Sequence, residues 1–454
     1  MSPDMRVGAI LKEADKHEEK YEWLEAAKSY EQALRLKSRD ISFAADTWAK
    51  LGFCYDLASR QADNSAGFKK IRQLSVESFR SAARLFEKEE SPTNRGKSTQ
   101  CNAIAEYVGS WLASDSSKKK RMLDECLKFG KKSLAAYKNA GDELSYGKAC
   151  NDLLSCLLER LYVASNAQEM SDVAREGIDC ADRAIAILQK LKDESELLQA
   201  YFTSSLQSWY AAQISEDEEK RKDLIQRSSI YSDKALKLSK EIDNPYFAAM
   251  SNWAAAMFNL YFTENIESAL EYAKEMLKQG TIAKDNYLKG VAYYILAFVN
   301  DFMVIREIDP DKCKEGHKTI IGHAENAIRY LQLVSQDFFI AEVFRFYAES
   351  HRSLACGEAN SEERRKALER AVEIGRKGLV HATRSGSPDA IGSTLHALSK
   401  ALHAYSNFVT GRDEKTRLLE EALVLRKEYN DIVKRAFPSN DWLSGVGKKI
   451  YLNL

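Results

Sequence analysis

Apolar residues recur along this chain at steps of three and four residues, the spacing that places them on one side of an α-helix. Two kinds of segment alternate. The apolar and aromatic kind covers residues 43–58, 98–113, 146–164, 198–213, 246–263, 288–306, 338–356 and 390–409. The charged kind, with small residues on one face, covers residues 24–37, 74–87, 122–138, 173–190, 224–240, 266–278, 317–333, 364–383 and 415–433. With no convincing two-residue alternation, the pattern predicts an all-α protein built from one repeated helix pair.

Three prolines fix the period of this repeat. Pro92, Pro245 and Pro388 each follow a charged segment and precede an apolar one. Proline excludes the preceding residue from helical geometry and is favoured in a first helical turn, so each proline marks the start of an apolar helix. The intervals of 153 and 143 residues each hold three units of about 50 residues. We therefore expect an α-solenoid of about nine helix pairs.

Two motifs near the N-terminus resemble a known repeat family. Trp48–x–x–Leu51–Gly52–x–x–Tyr55 is similar to the first-helix signature of the tetratricopeptide repeat, and Ala26–x–x–x–Tyr30–x–x–Ala33 to its second-helix signature. The resemblance is specific over about residues 10–85, and the period departs from the 34 residues of the family. It implies a right-handed superhelix in which the first helix of each pair lines a concave surface.

The repeats are expected to form one continuous body over residues 1–454. We expect an N-terminal helix pair at 1–40, about eight repeats over 41–437 and a C-terminal helix at 438–454. The last segment carries an apolar stripe of Trp442, Val446, Ile450 and Leu454. It is either a cap or the start of an interrupted repeat.

Charge and cysteine content narrow the partners and the compartment. Lysine plus arginine equals aspartate plus glutamate at 67 each, which argues against generic attraction to nucleic acid or to an anionic membrane. We see no signal peptide and no apolar stretch approaching the length that spans a bilayer, so we expect neither a nucleic-acid nor a membrane partner. The eight cysteines show no CxxC pairing, which favours buried reduced thiols and a cytoplasmic protein.

No catalytic or metal-binding motif is visible. The sequence lacks a phosphate-binding glycine loop, an HExxH pair and a GxSxG elbow. His396 and His403, seven residues apart, are too few for a closed zinc site, which takes four ligands. We expect no cofactor, no metal and no enzymatic activity.

The candidate binding residues lie in the apolar helices. Asparagine or arginine recurs at Asn252, Asn259, Asn300, Arg345 and Arg352. Such residues either bond internally or face a polar cavity. The resemblance implies that asparagine and basic side chains clamp the terminal carboxylate of a peptide. The aromatic candidates, which either pack between repeats or line a groove, are Trp253, Phe258, Tyr294 and Phe298.

These features favour recognition as the function. We expect a non-enzymatic scaffold whose concave groove holds a protein segment, a peptide or a small ligand. A second interpretation is the sensory or regulatory region of a larger signalling protein, with a kinase, cyclase or nuclease output domain beyond Leu454. A third is an enzyme with an all-helical pocket.

Overall fold

The computed structural model describes residues 3–436, of which 87% are helical and none forms a strand. The predicted all-α fold is therefore confirmed. The helices of this part of the chain are α1 Pro3–Glu19, α2 Trp23–Lys37, α3 Ile41–Arg60, α4 Ser65–Phe86, α5 Pro92–Ser110, α6 Ser116–Ala140, α7 Glu143–Tyr162, α8 Ala167–Leu191, α9 Glu194–Ile214, α10 Glu218–Ile242, α11 Pro245–Phe258, α12 Ile266–Ile282, α13 Asn286–Arg306, α14 Pro310–Leu333, α15 Asp337–Cys356, α16 Ser361–Ser385, α17 Pro388–Ser406 and α18 Arg412–Ala436. A π-helical segment, Asn259–Thr263, continues α11.

Each helix packs against the next along the chain, as in a solenoid. The glycine of the first-helix motif shows why small residues are needed. A Cβ atom on Gly52 of α3 would lie 2.8 Å from the ring of Phe79 of α4. Ser75 of α4 also donates a hydrogen bond to the carbonyl oxygen of Gly52 at 2.7 Å. The glycine of the first-helix motif therefore allows α3 and α4 to pack closely.

The predicted proline register is confirmed. Pro92, Pro245 and Pro388 occupy the first turns of α5, α11 and α17. The start of α13 is fixed without proline, because Asp285 caps this helix by accepting from the backbone N–H of Leu288 at 3.0 Å. Gly141, at the end of α6, takes the left-handed conformation with φ of 68° that glycine adopts without strain.

The two kinds of helix occupy different layers. The apolar helices α9 and α13 are buried along most of their length. By contrast, α10 buries five residues and α14 buries four. The odd-numbered helices from α7 to α17 therefore form the inner layer, and the charged even-numbered helices form the outer one.

Successive turns of the superhelix touch each other. The side-chain amide of Gln61 donates to the carbonyl of Ala283 at 3.1 Å, and that of Asn286 donates to the carbonyl of Ala62 at 2.9 Å. Arg60 lies 3.7 Å from the carboxylate of Asp285. These pairs are more than 220 residues apart in sequence, so the α3–α4 turn packs on the α12–α13 turn.

Aromatic rings continue this contact across the superhelix axis. The rings of Trp111 and Tyr287 lie 5.1 Å apart, and those of Tyr162 and Phe338 stack at 4.5 Å. These inner aromatic residues therefore pack between turns of the superhelix, one of the two alternatives that the sequence left open. This burial follows from the large apolar area that aromatic side chains remove from water.

Helix α13 departs from the expectation that no segment has the apolar length of a membrane span. It meets that length and composition, and 56% of its most apolar window is buried inside the protein. Packing in the inner layer accounts for its apolar character. The predicted C-terminal helix at 438–454 lies outside the described residues.

Candidate functional site

A cavity of about 890 Å³ remains inside the superhelix, within its C-terminal half. It lies among α7, α9, α11, the π-helical segment, α13, α14, α15, α17 and α18. Its volume is near the upper end of the range of roughly 300–1,000 Å³ for small-molecule sites. The lining divides into an aromatic wall and a charged wall, described in turn below.

The aromatic wall consists of rings that contact one another, mostly edge to face. Tyr261 lies 5.1 Å from Trp209 and 5.5 Å from Phe298, between ring centroids. Phe298 lies 5.0 Å from Phe346. Trp253 packs at 5.8 Å from Phe339. Contacts of this kind hold each ring in one orientation and give the cavity a fixed shape.

The π-helical segment brings Tyr261 to this wall. It widens the last turn of α11 and ends at Glu264, whose φ of 53° is left-handed. Asn265 then caps α12 by accepting from the backbone N–H of Ser268 at 3.1 Å. Single π-helical turns within α-helices are frequent at functional sites.

The charged wall begins on α15, where acidic and basic residues alternate along one face. Arg345 lies 3.4 Å from Glu342 and stacks over the ring of Phe346, with its guanidinium carbon 3.8 Å from the ring centroid. Arg352 donates to Glu349 at 2.6 Å. Glu342 and Glu349 therefore each have a basic neighbour one turn along the helix.

Helix α17 completes the charged wall. Ser393 donates to Glu342 at 2.6 Å, and Lys400 donates to Glu349 at 2.5 Å. Although burial opposes ionisation, hydrogen bonds from Arg352 and the charge of Lys400 lower the pKa of Glu349 to about 2. His396 contacts Arg426 and lies 5.0 Å from the ring of Tyr429. Burial, together with Lys400 and Arg426, lowers the pKa of His396 to about 3, so its imidazole is neutral at pH 7.

Two further carboxyl groups line the cavity, and their pKa values are raised, in contrast to that of Glu349. Burial raises the pKa of Asp301 to about 6, against the opposing charge of Arg345. Burial and the charge of Glu342 raise the pKa of Asp389 to about 7. Both groups therefore change their protonation state close to neutral pH.

One end of the cavity opens to solvent, a region we call the mouth. Ile305 at the end of α13 is 43% exposed, and Cys356 at the end of α15 is exposed. Ser353, one turn before Cys356, is half-buried in the lining. Six of the eight cysteines are buried, as expected, while Cys313 and Cys356 lie at this mouth.

The structure brings five of the predicted site residues together. Trp253, Tyr294, Phe298, Arg345 and Arg352 all line the cavity. Their role in binding stays a prediction.

The other predicted residues lie elsewhere. Asn252, Asn259 and Asn300 are absent from the lining, and each donates its side-chain amide to a carbonyl of its own helix one turn back, at 2.8, 2.9 and 2.7 Å. Phe258 is also outside the lining and packs on Phe262 at 5.7 Å. Of the asparagine and arginine candidates, Arg345 and Arg352 therefore line the cavity, and the three asparagines bond within their own helices.

The sequence interpretation missed several charged residues of the lining. Glu342 and Glu349, seven residues apart, alternate with Arg345 and Arg352 on α15, and this spacing was a usable signal. Asp301, directly after Asn300, lines the cavity in place of the asparagine. Asp389 follows Pro388 and resembles an ordinary acidic residue at a helix start.

Comparisons with known proteins establish the fold alone. No protein-family model and no curated protein matches the sequence. The structure is similar to that of a Rap protein complexed with competence and sporulation factor, with a TM-score of 0.52 at 9% identity, over 94% of this chain and 99% of that one. The human IFIT1 dimer with m7Gppp-AAAA matches 91% of this chain and 88% of its own at 14% identity, with a TM-score of only 0.37. The chain thus has the fold of tetratricopeptide-like helical-repeat proteins.

Proposed function

We propose that this protein is a tetratricopeptide-type binding protein, without enzymatic activity, that encloses a short peptide or a ligand of similar size inside its superhelix. The observation that carries the proposal is the cavity of about 890 Å³ with one aromatic and one charged wall. Ligand sites combine a mostly apolar lining with a few fixed polar groups in this way.

The state of the charged wall supports binding over catalysis. Glu349 is held by Arg352 and Lys400, and Glu342 by Arg345 and Ser393. Carboxylates fixed in this way can orient a ligand, and Glu349, whose pKa is lowered to about 2, is a poor general base near neutral pH. The Rap protein of similar fold was solved as a complex with competence and sporulation factor, which agrees with a ligand held by this architecture.

Narrowing the mouth tests the proposal. Ser353→Trp places a large ring at the half-buried mouth, and Ser117→Trp places the same ring on the exposed start of α6 as a matched control. We expect an equimolar pool of synthetic tripeptides to pentapeptides to yield retained members in affinity-selection mass spectrometry. Their retention should fall by about tenfold in Ser353→Trp, the equivalent of about 1.4 kcal/mol.

Ser117→Trp should retain the same peptides as the unchanged protein. Circular dichroism of both variants checks that they remain folded. Retention of no peptide by the unchanged protein, or equal retention by a folded Ser353→Trp variant, would contradict the proposal.

A further inference from the structure

The charges of the cavity lining are unequal in number. It contains five carboxyl groups, Asp301, Glu307, Glu342, Glu349 and Asp389, against three basic side chains, Arg345, Arg352 and Lys400. Burial lowers the pKa of both lining histidines, His317 and His396, which removes them as cations at neutral pH. The fully ionised lining therefore has an excess of negative charge.

Internal pairing concentrates this excess on two residues. The basic side chains already neighbour Glu342 and Glu349, and Glu307 accepts from the backbone N–H groups of Ile308 and Asp309 at 3.0 Å. Within residues 3–436, Asp301 and Asp389 accept no hydrogen bond and form no ion pair. Carboxyl groups removed from water without such partners lose solvation that a ligand would replace.

Three tyrosine hydroxyls in the cavity lining also lack a hydrogen-bond partner within the described residues. Tyr162, Tyr210 and Tyr294 line the cavity and are 8%, 6% and 6% exposed. Phe338 stacks on Tyr162 at 4.5 Å and packs against the small cluster that contains Ala390, the residue after Asp389, so Asp389 lies at this end of the cavity. Burial raises the pKa of all three tyrosines, and the charge of Asp389 adds to the increase.

We infer that the ligand enters this cavity with a cationic group, an ammonium or a guanidinium, seated between Asp389 and the hydroxyls of Tyr162, Tyr210 and Tyr294. Asp301 is outside this seat, because the charges nearest to it include Glu349 and Lys400, which follow Glu342 and Asp389 by two and three helical turns. A cation of this kind supplies several N–H donors, which match the carboxylate and hydroxyl oxygens. The surrounding aromatic faces add cation–π attraction. This inference rests on the proposed function and specifies the chemical class of its ligand.

The protonation of Asp389 gives the inference a pH signature. Glu342 and Arg345 of α15 act on Asp389 electrostatically, and tyrosines of α7, α9, α13, α18 and the π-helical segment lie within range of its charge. A cation favours the ionised carboxylate, so its binding releases a proton. Since burial and the charge of Glu342 raise the pKa of Asp389 to about 7, affinity should rise from acidic to neutral pH and level off above pH 8.

Matched peptide pools test the cation directly. The probes are acetylated and amidated pentapeptide pools with a fixed central arginine, citrulline or glutamate and flanking alanine, leucine, phenylalanine or tyrosine. Citrulline keeps the shape of arginine and lacks its charge. We expect the arginine pool to be retained about tenfold more than the citrulline pool at pH 7.5, as for the loss of one charge-assisted contact. The excess should shrink several-fold at pH 5.5.

A variant identifies the carboxylate. Asp389→Asn should reduce retention of the arginine pool about tenfold and that of the citrulline pool much less, because citrulline donates hydrogen bonds without a charge. Asp223→Asn, on the exposed start of α10, is the matched control and should change neither pool. Asp389→Asn should also raise the melting temperature at pH 8, because it removes an unpaired buried carboxylate; this checks that the variant is folded.

The results separate this inference from the function on which it rests. Equal retention of the arginine and citrulline pools, or preference for the glutamate pool, overturns the inference. The proposed function still stands in that case if Ser353→Trp reduces the retention of peptides. An arginine preference that survives in Asp389→Asn also overturns the inference. Failure of every pool to bind the unchanged protein overturns the proposed function itself.

Discussion

Glu349 is the residue on which the charged wall depends most. It accepts hydrogen bonds from Arg352 and Lys400, which come from two different helices, α15 and α17. Its side chain is only 21% exposed, so removing its charge leaves two basic groups facing each other with little water.

Glu349→Gln should therefore destabilise the fold. We expect the free energy of unfolding to fall by about 2 kcal/mol, less than the roughly 3–5 kcal/mol for a fully buried pair. The pKa of this carboxyl group is lowered to about 2 from 4.5, so its stabilisation is present above pH 4.5 and lost as the pH falls toward 2. Urea titrations at several pH values measure both effects.

The exposed pair between Glu363 and Lys366 is the control. Glu363→Gln should change the free energy of unfolding by less than about 0.5 kcal/mol. Equal losses for the two variants would show that the wall contributes no more than a surface ion pair.

At this scale the sequence predicted the large residues of the site better than the small polar ones. Trp253 and Phe298 line the cavity because large apolar side chains on an inner-layer helix point into the interior of the superhelix. Asn252 and Asn300 do not, because a short amide within a helix reaches its own backbone carbonyl first. Asp389 was not predicted to line the site, because an acidic residue in a first helical turn is explained by its favourable interaction with the helix dipole.

At the scale of elements, the closeness of neighbouring helices depends on particular small residues. Gly52 of α3 leaves no room for a methyl group against Phe79, whereas a Cβ on Gly8 of α1 would have no atom within 4 Å. The same substitution should therefore have opposite effects at the two positions.

Gly52→Ala should lower the free energy of unfolding by about 1–3 kcal/mol through overpacking. Gly8→Ala should raise it by up to about 1 kcal/mol, because alanine is the better helix former. Chemical denaturation of both variants measures the difference. Equal stability would mean that α3 and α4 separate freely enough to admit the methyl group.

Helices were the most predictable level of the structure, since their apolar period and prolines are local signals. The predicted segment 98–113 corresponds to α5, for example, and Pro92 marks its start. The π-helical turn at Asn259–Thr263 was not predicted, because a single extra residue hardly disturbs the apolar pattern.

At the scale of the whole molecule, the contact between successive turns distinguishes this protein from an open array. Arg60 lies 3.0 Å from Asp56 in its own helix and 3.7 Å from Asp285 in the α12–α13 turn. Its guanidinium also lies 5.3 Å from the ring of Trp111. No local sequence signal links residues this far apart, so the sequence did not predict the closure.

Arg60→Met should break this connection. We expect a loss of about 3 kcal/mol, typical of leaving a buried carboxylate unpaired. Hydrogen exchange should accelerate at the α12–α13 turn as well as in α3, because the two regions open together. Arg35→Met, at a side chain that is 82% exposed, is the control and should change neither measurement. Acceleration confined to α3 and α4 would contradict a closed superhelix.

The contact between successive turns also affects how long a bound ligand stays in the cavity. An open solenoid admits and releases a bound segment by flexing, whereas a cavity enclosed by turns that hold each other exchanges its contents through the mouth or after the contacts at Gln61 and Asn286 have parted. The dwell time of a bound ligand then depends on how often the protein opens and only partly on how tightly the walls hold it. A molecule bound in this way would stay in the cavity for some time after its free concentration had fallen, so the occupancy of the protein would reflect an earlier concentration of the ligand.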